Sequence, residues 1–367
     1  MSNTSIPVMH PRLPLLPTLA PYFAQIDQNR WYSNFGPLVL SLEERFAAAL
    51  GGERDSVVSA DNGTSALTAA LIALGLPHGS LVAVPAWTFC ATAHAVTLAG
   101  LTPYLVDVDA DNWSLTPQQV ERHRDEGAQL AAVMPVMPFG APIDVEGWRA
   151  FRRQTGIPVI VDAAAGFDSW RICDLPAVVS LHATKVLGAG EGGLMVCSDT
   201  DLIKRVRRVL NFGFSGLAIA QCHAFNGKMS EYGAAVALAA LDAWPVTRAE
   251  WLTALNLYTP LLTSNRVGTQ PGLGTERVSS VLVVRFPGCD RQSIAAALEQ
   301  KDIQTRPWWP LALNEHPAFA SCLCPGATVA QRLSQECLGL PLFRDISPEQ
   351  AERVIAAVED CHARERV

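Results

Sequence analysis

Short apolar runs recur along the first half of this chain, and each is followed by a stretch with helical spacing. Ser56–Ala60, Leu81–Val84, Pro103–Asp107, Leu130–Pro135 and Pro158–Val161 read as strands. Between them, Thr64–Gly75, Phe89–Gly100, Pro117–Arg124 and Val145–Gly156 read as helices. Ala177–Leu181 and Leu194–Cys197 add further strands, and Asp201–Leu210 a helix with a basic face. Runs this short, without an alternating polar face, suit a sheet covered on both sides. Strands joined through helices require crossovers, and crossovers give a largely parallel sheet. The pattern predicts an α/β fold.

At 367 residues the chain exceeds what one core usually serves, so a large and a smaller domain are expected. The composition shifts around Trp244-Pro245. Beyond it, residues 250–265, Arg291–Lys301 and Pro348–Val358 read as helical and Val278–Phe286 as extended, which suggests a smaller α+β unit. Residues 1–35 are rich in proline and lack periodicity, as in an arm that packs on something else, such as a partner subunit. Ser41–Leu50 reads as an amphipathic helix with Ser41 as its N-cap and Gly51-Gly52 as its stop. The expected organisation is an arm over 1–35, a large domain over 36–245 and a small domain over 246–367.

Hydrophobic residues make up 49% of the chain and charged residues 17%, which excludes a disordered protein. The net charge of −7, with no run of Lys or Arg, speaks against a nucleic-acid or anionic-membrane surface. Nine cysteines without a regular frame speak against a secreted disulfide scaffold and for reduced thiols in the cytoplasm. Cys322 and Cys324 lack the spacing of a zinc knuckle, so no metal is expected. Met1–Pro7 lacks the pattern of a signal peptide, and the apolar stretch Ala234–Leu241 is too short to span a bilayer.

Ligands of open α/β sheets bind outside the carboxyl ends of the strands. Four segments fall there. Asp61-Asn-Gly-Thr-Ser65 joins a strand to a helix, and its glycine and helix N-terminus suit a phosphate; an ordinary N-cap would look the same. Pro85-Ala-Trp-Thr-Phe89 brings aromatics that either stack on a ring or enter the core. Asp162 ends an apolar run, where a carboxylate is a paired functional group or an N-cap. The fourth, Ser180-Leu-His-Ala-Thr-Lys185, leads into the glycine-rich Gly188-Ala-Gly-Glu-Gly-Gly193. A lysine near one strand end and an acid at another are the two charged parts of a pyridoxal 5'-phosphate site. The lysine forms the Schiff base and the acid holds the pyridine nitrogen protonated. His182 fits either a proton relay or a structural contact, and Glu191 lies between glycines in a tight turn.

With these segments in order, the chain resembles the DegT/DnrJ/EryC1/StrS family of sugar aminotransferases. The resemblance runs from Phe35-Gly-Pro37 to the C-terminus. It rests on Asn62-Gly-Thr-Ser-Ala-Leu67, Pro85-Ala-Trp-Thr-Phe-Cys-Ala-Thr92, Val106-Asp-Val-Asp109, Pro138-Phe-Gly-Ala-Pro-Ile-Asp144, Val161-Asp-Ala-Ala164, Ser180 to Lys185, Gly190-Glu-Gly-Gly193 and Phe225-Asn-Gly-Lys-Met-Ser230. It implies the fold type I, aspartate-aminotransferase-like architecture, with a large mostly parallel α/β/α domain and a smaller α+β C-terminal domain. It implies that Lys185 forms the Schiff base and moves the substrate proton, and that Asp162 pairs with the pyridine nitrogen. Phe89 would stack on the ring, and Gly63, Thr64 and Ser180 would hold the phosphate. Asn226 would reach the cofactor of the other subunit, which makes the enzyme a homodimer.

The implied reaction moves an amino group from an amino acid, L-glutamate by expectation, to a keto group on a nucleotide-linked deoxy sugar. Three alternatives stay open: a dehydratase or lyase on the same scaffold, a cofactor-binding protein without turnover that acts as a regulator or structural partner, and transfer to a keto-cyclitol or other small ketone. Relatives that dehydrate carry His at the position of Lys185, which speaks against the lyase. Arg306 and Trp308 are the expected substrate contacts, and His316 lies in the same stretch. The sequence departs from the family pattern at Ala165, where Gln or His is usual, and at Leu210-Asn-Phe-Gly213, where Arg-Asn-His-Gly is common.

Overall fold

Valine and alanine dominate the central strands, and almost every residue in those strands is buried. The computed structural model describes residues 5–364. The strands of the large unit are β1 (Val57–Ala60), β2 (Leu81–Pro85), β3 (Thr102–Val106), β4 (Leu130–Val133), β5 (Val161–Asp162), β6 (Ala177–Ser180) and β7 (Gly193–Val196). They pair in the orders β3-β2-β4 and β5-β6-β7-β1. Bridges from Val133 to Val159 and from Val136 to Asp162 join β4 to β5, so the two groups form one continuous seven-stranded sheet.

The expected parallel arrangement holds for six of these strands; β7 runs antiparallel to both neighbours. No helix separates β6 from β7, only the turn that carries Lys185, so the chain returns beside β6 in the opposite direction.

Alternation along each strand divides the apolar residues between two cores, as the pleat requires. Val58, Val82, Val84, Val178 and Met195 face α3 (Gly63–Ala73), α4 (Ala91–Leu98) and α7 (Thr200–Leu210). Val57, Ala83, Val133, Val179 and Val196 face the opposite layer, which includes α2 (Pro37–Ala49), α6 (Val145–Thr155) and α8 (Glu231–Asp242). α5 (Pro117–Asp125) begins with a capping box formed by Thr116 and Gln119. The result is the α/β/α layering of fold type I.

After α8 come α9 (Trp244–Asn256) and α10 (Thr259–Leu262), then a smaller α+β unit. There β8 (Leu282–Arg285) pairs antiparallel with β9 (Cys337–Leu340) beside α11 (Arg291–Glu299), α12 (Thr328–Glu336) and α13 (Pro348–Arg364). The sequence signalled neither α12 nor β9. Helix α12 has no side-chain cap at Ala327, and β9 is four residues long with a glycine inside. That glycine is required, because Gly339 lies directly under the Trp308 indole.

Two expectations for the N-terminal region need correction. Within 1–35, Leu16–Asn29 forms helix α1, with Pro17 in its first turn and Pro21 tolerated inside it. It packs on α8 of the same chain, and Tyr22 donates to Asp242 Oδ2 at 2.5 Å. The segment before it joins the small sheet: Ile6 bridges Ile303, with its amide 2.8 Å from the Asp302 carbonyl. Helix α2 begins at Pro37, so Ser41 lies inside it and not at its cap. The cap is a distant carboxylate: Glu231 Oε2 accepts from the Leu38 amide at 2.8 Å, and Oε1 from the Val39 amide at 2.9 Å.

Candidate active site

The parallel strands end along one edge of the sheet, and the four candidate segments meet there. β1 ends at Ala60 and β6 at Ser180, and both pair with Gly193 at the start of the antiparallel β7. β5 ends at Asp162, and β2 leads into Trp87–Phe89.

The turn from β1 into α3 forms a cradle against Ser180. The Asn62 side chain caps α3 by accepting from the Ser65 amide at 2.8 Å, and the Asn62 carbonyl accepts from the Ala66 amide at 3.2 Å. The amides of Gly63 and Thr64 are the first two of the helix, where no intrahelical acceptor exists. A Cβ on Gly63 would stand 3.3 Å from Ser180 Cβ, and one on Gly193 would stand 2.5 Å from the Asn62 carbonyl oxygen. Only glycine at 193 lets β7 pass so close under the turn. A helix N-terminus with a nearby hydroxyl suits a phosphate dianion.

Asp162 is buried and receives donors only. Thr92 Oγ1 donates to its Oδ2 at 2.7 Å and the Ala164 amide to its Oδ1 at 3.1 Å. Burial pushes its pKa up; the two hydrogen bonds and the positive charge of Lys185 oppose that shift. Burial also holds the Lys185 amine below the ordinary lysine range, with Asp162 opposing. An amine so depressed carries a larger neutral, nucleophilic fraction near neutral pH. Thr88 and Thr92, which sequence reasoning passed over, complete the arrangement: their hydroxyl oxygens are 3.0 Å apart and both side chains are buried.

The other candidates are placed as follows. Phe89 is 58% exposed and Trp87 1%, so of the two aromatics Phe89 is free to meet a ligand; Trp87 packs against Trp309 and Phe139. Ala165 offers no side-chain donor, and its carbonyl backs onto Gly140. His182 bonds Thr184 Oγ1 at 2.8 Å through Nδ1 and lies 3.7 Å from Glu191. Asn226 is exposed, with its Oδ1 accepting from Lys228 Nζ at 2.5 Å. It sits beside the cradle, since the next residue, Gly227, accepts from the Asp61 amide at 2.8 Å. Arg306 and Trp308 lie on the small sheet, not in the β-edge cluster; the guanidinium stacks 4.6 Å over the indole. The Lys185 segment also borders a cleft of about 660 Å³ lined by Arg12, Glu250, Ser280 and Arg344.

Residues 18–359 match the model of the DegT/DnrJ/EryC1/StrS aminotransferase family. The chain belongs to this family. Among its relatives is the dTDP-3-amino-3,4,6-trideoxy-alpha-D-glucose transaminase of Streptomyces venezuelae, 30% identical over 91% of this chain and 89% of that protein. A putative PLP-dependent aminotransferase from Bacillus cereus superposes with a TM-score of 0.90 at 26% identity, covering 97% of this chain and all of that one. DesI, solved in the presence of its TDP-sugar product, superposes with a TM-score of 0.88 at 27% identity, covering 100% and 95% of the two chains.

As a DegT/DnrJ/EryC1/StrS aminotransferase, the protein is a PLP-dependent transaminase. The residues present fit that cofactor: an amine of depressed pKa, a buried carboxylate supplied with donors only, and a helix N-terminus beside a serine. When bound, pyridoxal 5'-phosphate supplies a carbonyl for the amine and an electron-withdrawing ring. None of the helices among the described residues is long and apolar enough to cross a membrane.

Proposed function

We propose that this aminotransferase moves an amino group from L-glutamate to the keto group of a nucleotide-linked deoxy sugar, working as a cytoplasmic homodimer with shared sites. The observation that carries the reading is the match over nine-tenths of the chain to a transaminase whose name specifies a dTDP-linked amino sugar. DesI, with its TDP-sugar product, supports the same class.

In this reading Lys185 is the general base and acid, taking the proton from the donor carbon and returning it in the second half-reaction. Its depressed pKa supports the role. Asp162 faces the pyridine nitrogen, whose positive charge repays the cost of burying the carboxylate. Gly63, Thr64 and Ser180 hold the phosphate, and Phe89 covers the ring. Asn226 reaches the partner subunit's cofactor, which its exposure permits. Arg306 and Trp308 meet the nucleotide portion, the guanidinium through a bidentate phosphate contact.

Absorbance of the holoenzyme, before and after L-glutamate, tests the donor. Loss of the visible cofactor band supports glutamate, and candidate keto sugars are then screened for its return. A band that glutamate leaves unchanged points to another donor or another reaction. Arg306→Ala is expected to raise the KM for the sugar about tenfold, the loss of one charged hydrogen bond, while the glutamate half-reaction stays intact. An unchanged KM removes Arg306 from the substrate site.

A further inference from the structure

Asp162 does not sit at the end of β5 unaided. Its Oδ2 accepts from Thr92 Oγ1 at 2.7 Å, and Thr92 Oγ1 lies 3.0 Å from Thr88 Oγ1. A threonine hydroxyl has a single proton. Once Thr92 gives its proton to the carboxylate, the contact with Thr88 forms only if Thr88 donates. The chain of donation therefore runs Thr88 to Thr92 to Asp162. The other carboxylate oxygen receives the Ala164 amide, a donor with no alternative role. Thr92 is 0% exposed and Thr88 2%, so neither hydroxyl exchanges partners with solvent. All three protein groups bonded to the carboxylate or its chain are donors, the arrangement a carboxylate anion requires and a neutral acid does not.

Both threonines come from the turn that carries Phe89, with the Thr92 amide 3.2 Å from the Phe89 carbonyl. One short segment after β2 thus presents an aromatic face and, one turn on, orients the acid on β5, two strands away across β4.

We propose that Thr92, with Thr88 behind it, is a positioning residue that holds the Asp162 carboxylate in one orientation and favours its ionised form. The proposal rests on the reading that Asp162 faces the pyridine nitrogen. Thr92 touches no reacting atom; it acts through Asp162, by keeping the charge that holds the ring nitrogen protonated.

The test uses holoenzyme reconstituted with cofactor labelled with ¹⁵N in the ring, whose chemical shift separates a protonated from a bare pyridine nitrogen. In Thr92→Val, which keeps the shape and removes the hydroxyl, the shift is expected to move toward bare pyridine. The amino-acid half-reaction is expected to slow about 10- to 100-fold, the range for a lost hydrogen bond to a charged group. Thr92→Ser is expected to retain the parent shift. Thr88→Val, which leaves Thr92 without its donor, is expected to fall between. A Thr92→Val holoenzyme with the parent shift and rate overturns the proposal. If that variant does not fold, Thr88→Val carries the test, and a parent shift there overturns the two-threonine chain. Asp162→Asn separates this from the underlying reading. A bare-pyridine shift in Asp162→Asn with none in Thr92→Val sinks the threonine proposal alone. No change in Asp162→Asn sinks the placement of Asp162 at the nitrogen.

Discussion

Lys185 is one of only four lysines in the chain, and each of the other three has a surface partner. Lys204 pairs with Asp201, Lys301 with Asp360, and Lys228 bonds Asn226. Burial lowers the Lys185 pKa from 10.5, so its neutral amine exists at a pH where a surface lysine is still charged. Treating the cofactor-free protein with pyridoxal 5'-phosphate and borohydride is therefore expected to label Lys185 first, with Lys228, whose amine burial also holds down, next. Labelling should increase with pH through a midpoint below 10.5. Peptide mapping reads the site. Lys204 or Lys301 labelled ahead of Lys185, or undiminished labelling in Lys185→Ala, refutes the assignment. Lys185 and Asp162 stood out in the sequence through their order and spacing between two apolar runs, since each alone has a bland reading. Thr88 and Thr92 stayed hidden, because a threonine in an apolar segment has many bland readings, and only the fold brings Thr92 against a strand seventy residues away.

At the scale of elements, β7 and the turn into α3 approach each other closely in the site. Gly193→Ala would drive its Cβ to 2.5 Å from the Asn62 carbonyl and 2.7 Å from the Gly63 nitrogen, both backbone atoms that cannot swing away. The expected cost is about 1–3 kcal/mol of stability. Cofactor affinity should fall at least about tenfold, by the loss of one or more amide contacts to the phosphate. Thermal unfolding and cofactor titration read the two effects, and a variant with parental cofactor affinity would show that this turn is not the cradle. Most strands and helices of the large unit were legible because their signals are local: apolar runs, capping residues, a glycine stop. The start of α2 was not. Its cap is the carboxylate of Glu231, about 190 residues away, and Pro37 at its first position is the only local sign. The antiparallel direction of β7 was equally unreadable, since an apolar run carries no arrow.

Across the whole molecule, the two units are fastened near the active-site edge. Asp168, six residues beyond Asp162, accepts from Arg248 Nε at 2.7 Å on α9 and from the Val278 amide at 2.9 Å ahead of β8. Arg277 beside it is 2% exposed and donates to the Phe139 carbonyl at 3.2 Å; burial holds its pKa down to about 10. Asp168→Asn keeps the shape but turns one acceptor into a donor facing an amide. The expected loss is about 1–3 kcal/mol, with faster amide hydrogen exchange over residues 277–280. Unchanged exchange there would show that the fastening lies elsewhere. The α+β character of the C-terminal region was legible from Val278–Phe286, but its sheet was not, because two of its edges come from segments that read as loops.

One of those edges has a consequence for how the protein is made. Ile6 bridges Ile303, so about 300 residues of chain lie between the two partners. A ribosome adding roughly 5–20 residues per second needs some fifteen seconds to a minute to cover that distance. Late in that time the cofactor-binding unit has all its strands, while the segment around Ile6 waits for its place. The nascent chain is then an α/β/α body with the Ile6 segment still unplaced, open to chaperones or to a second nascent copy. The closing of the small sheet marks the moment at which a segment made before the large unit takes its place after it.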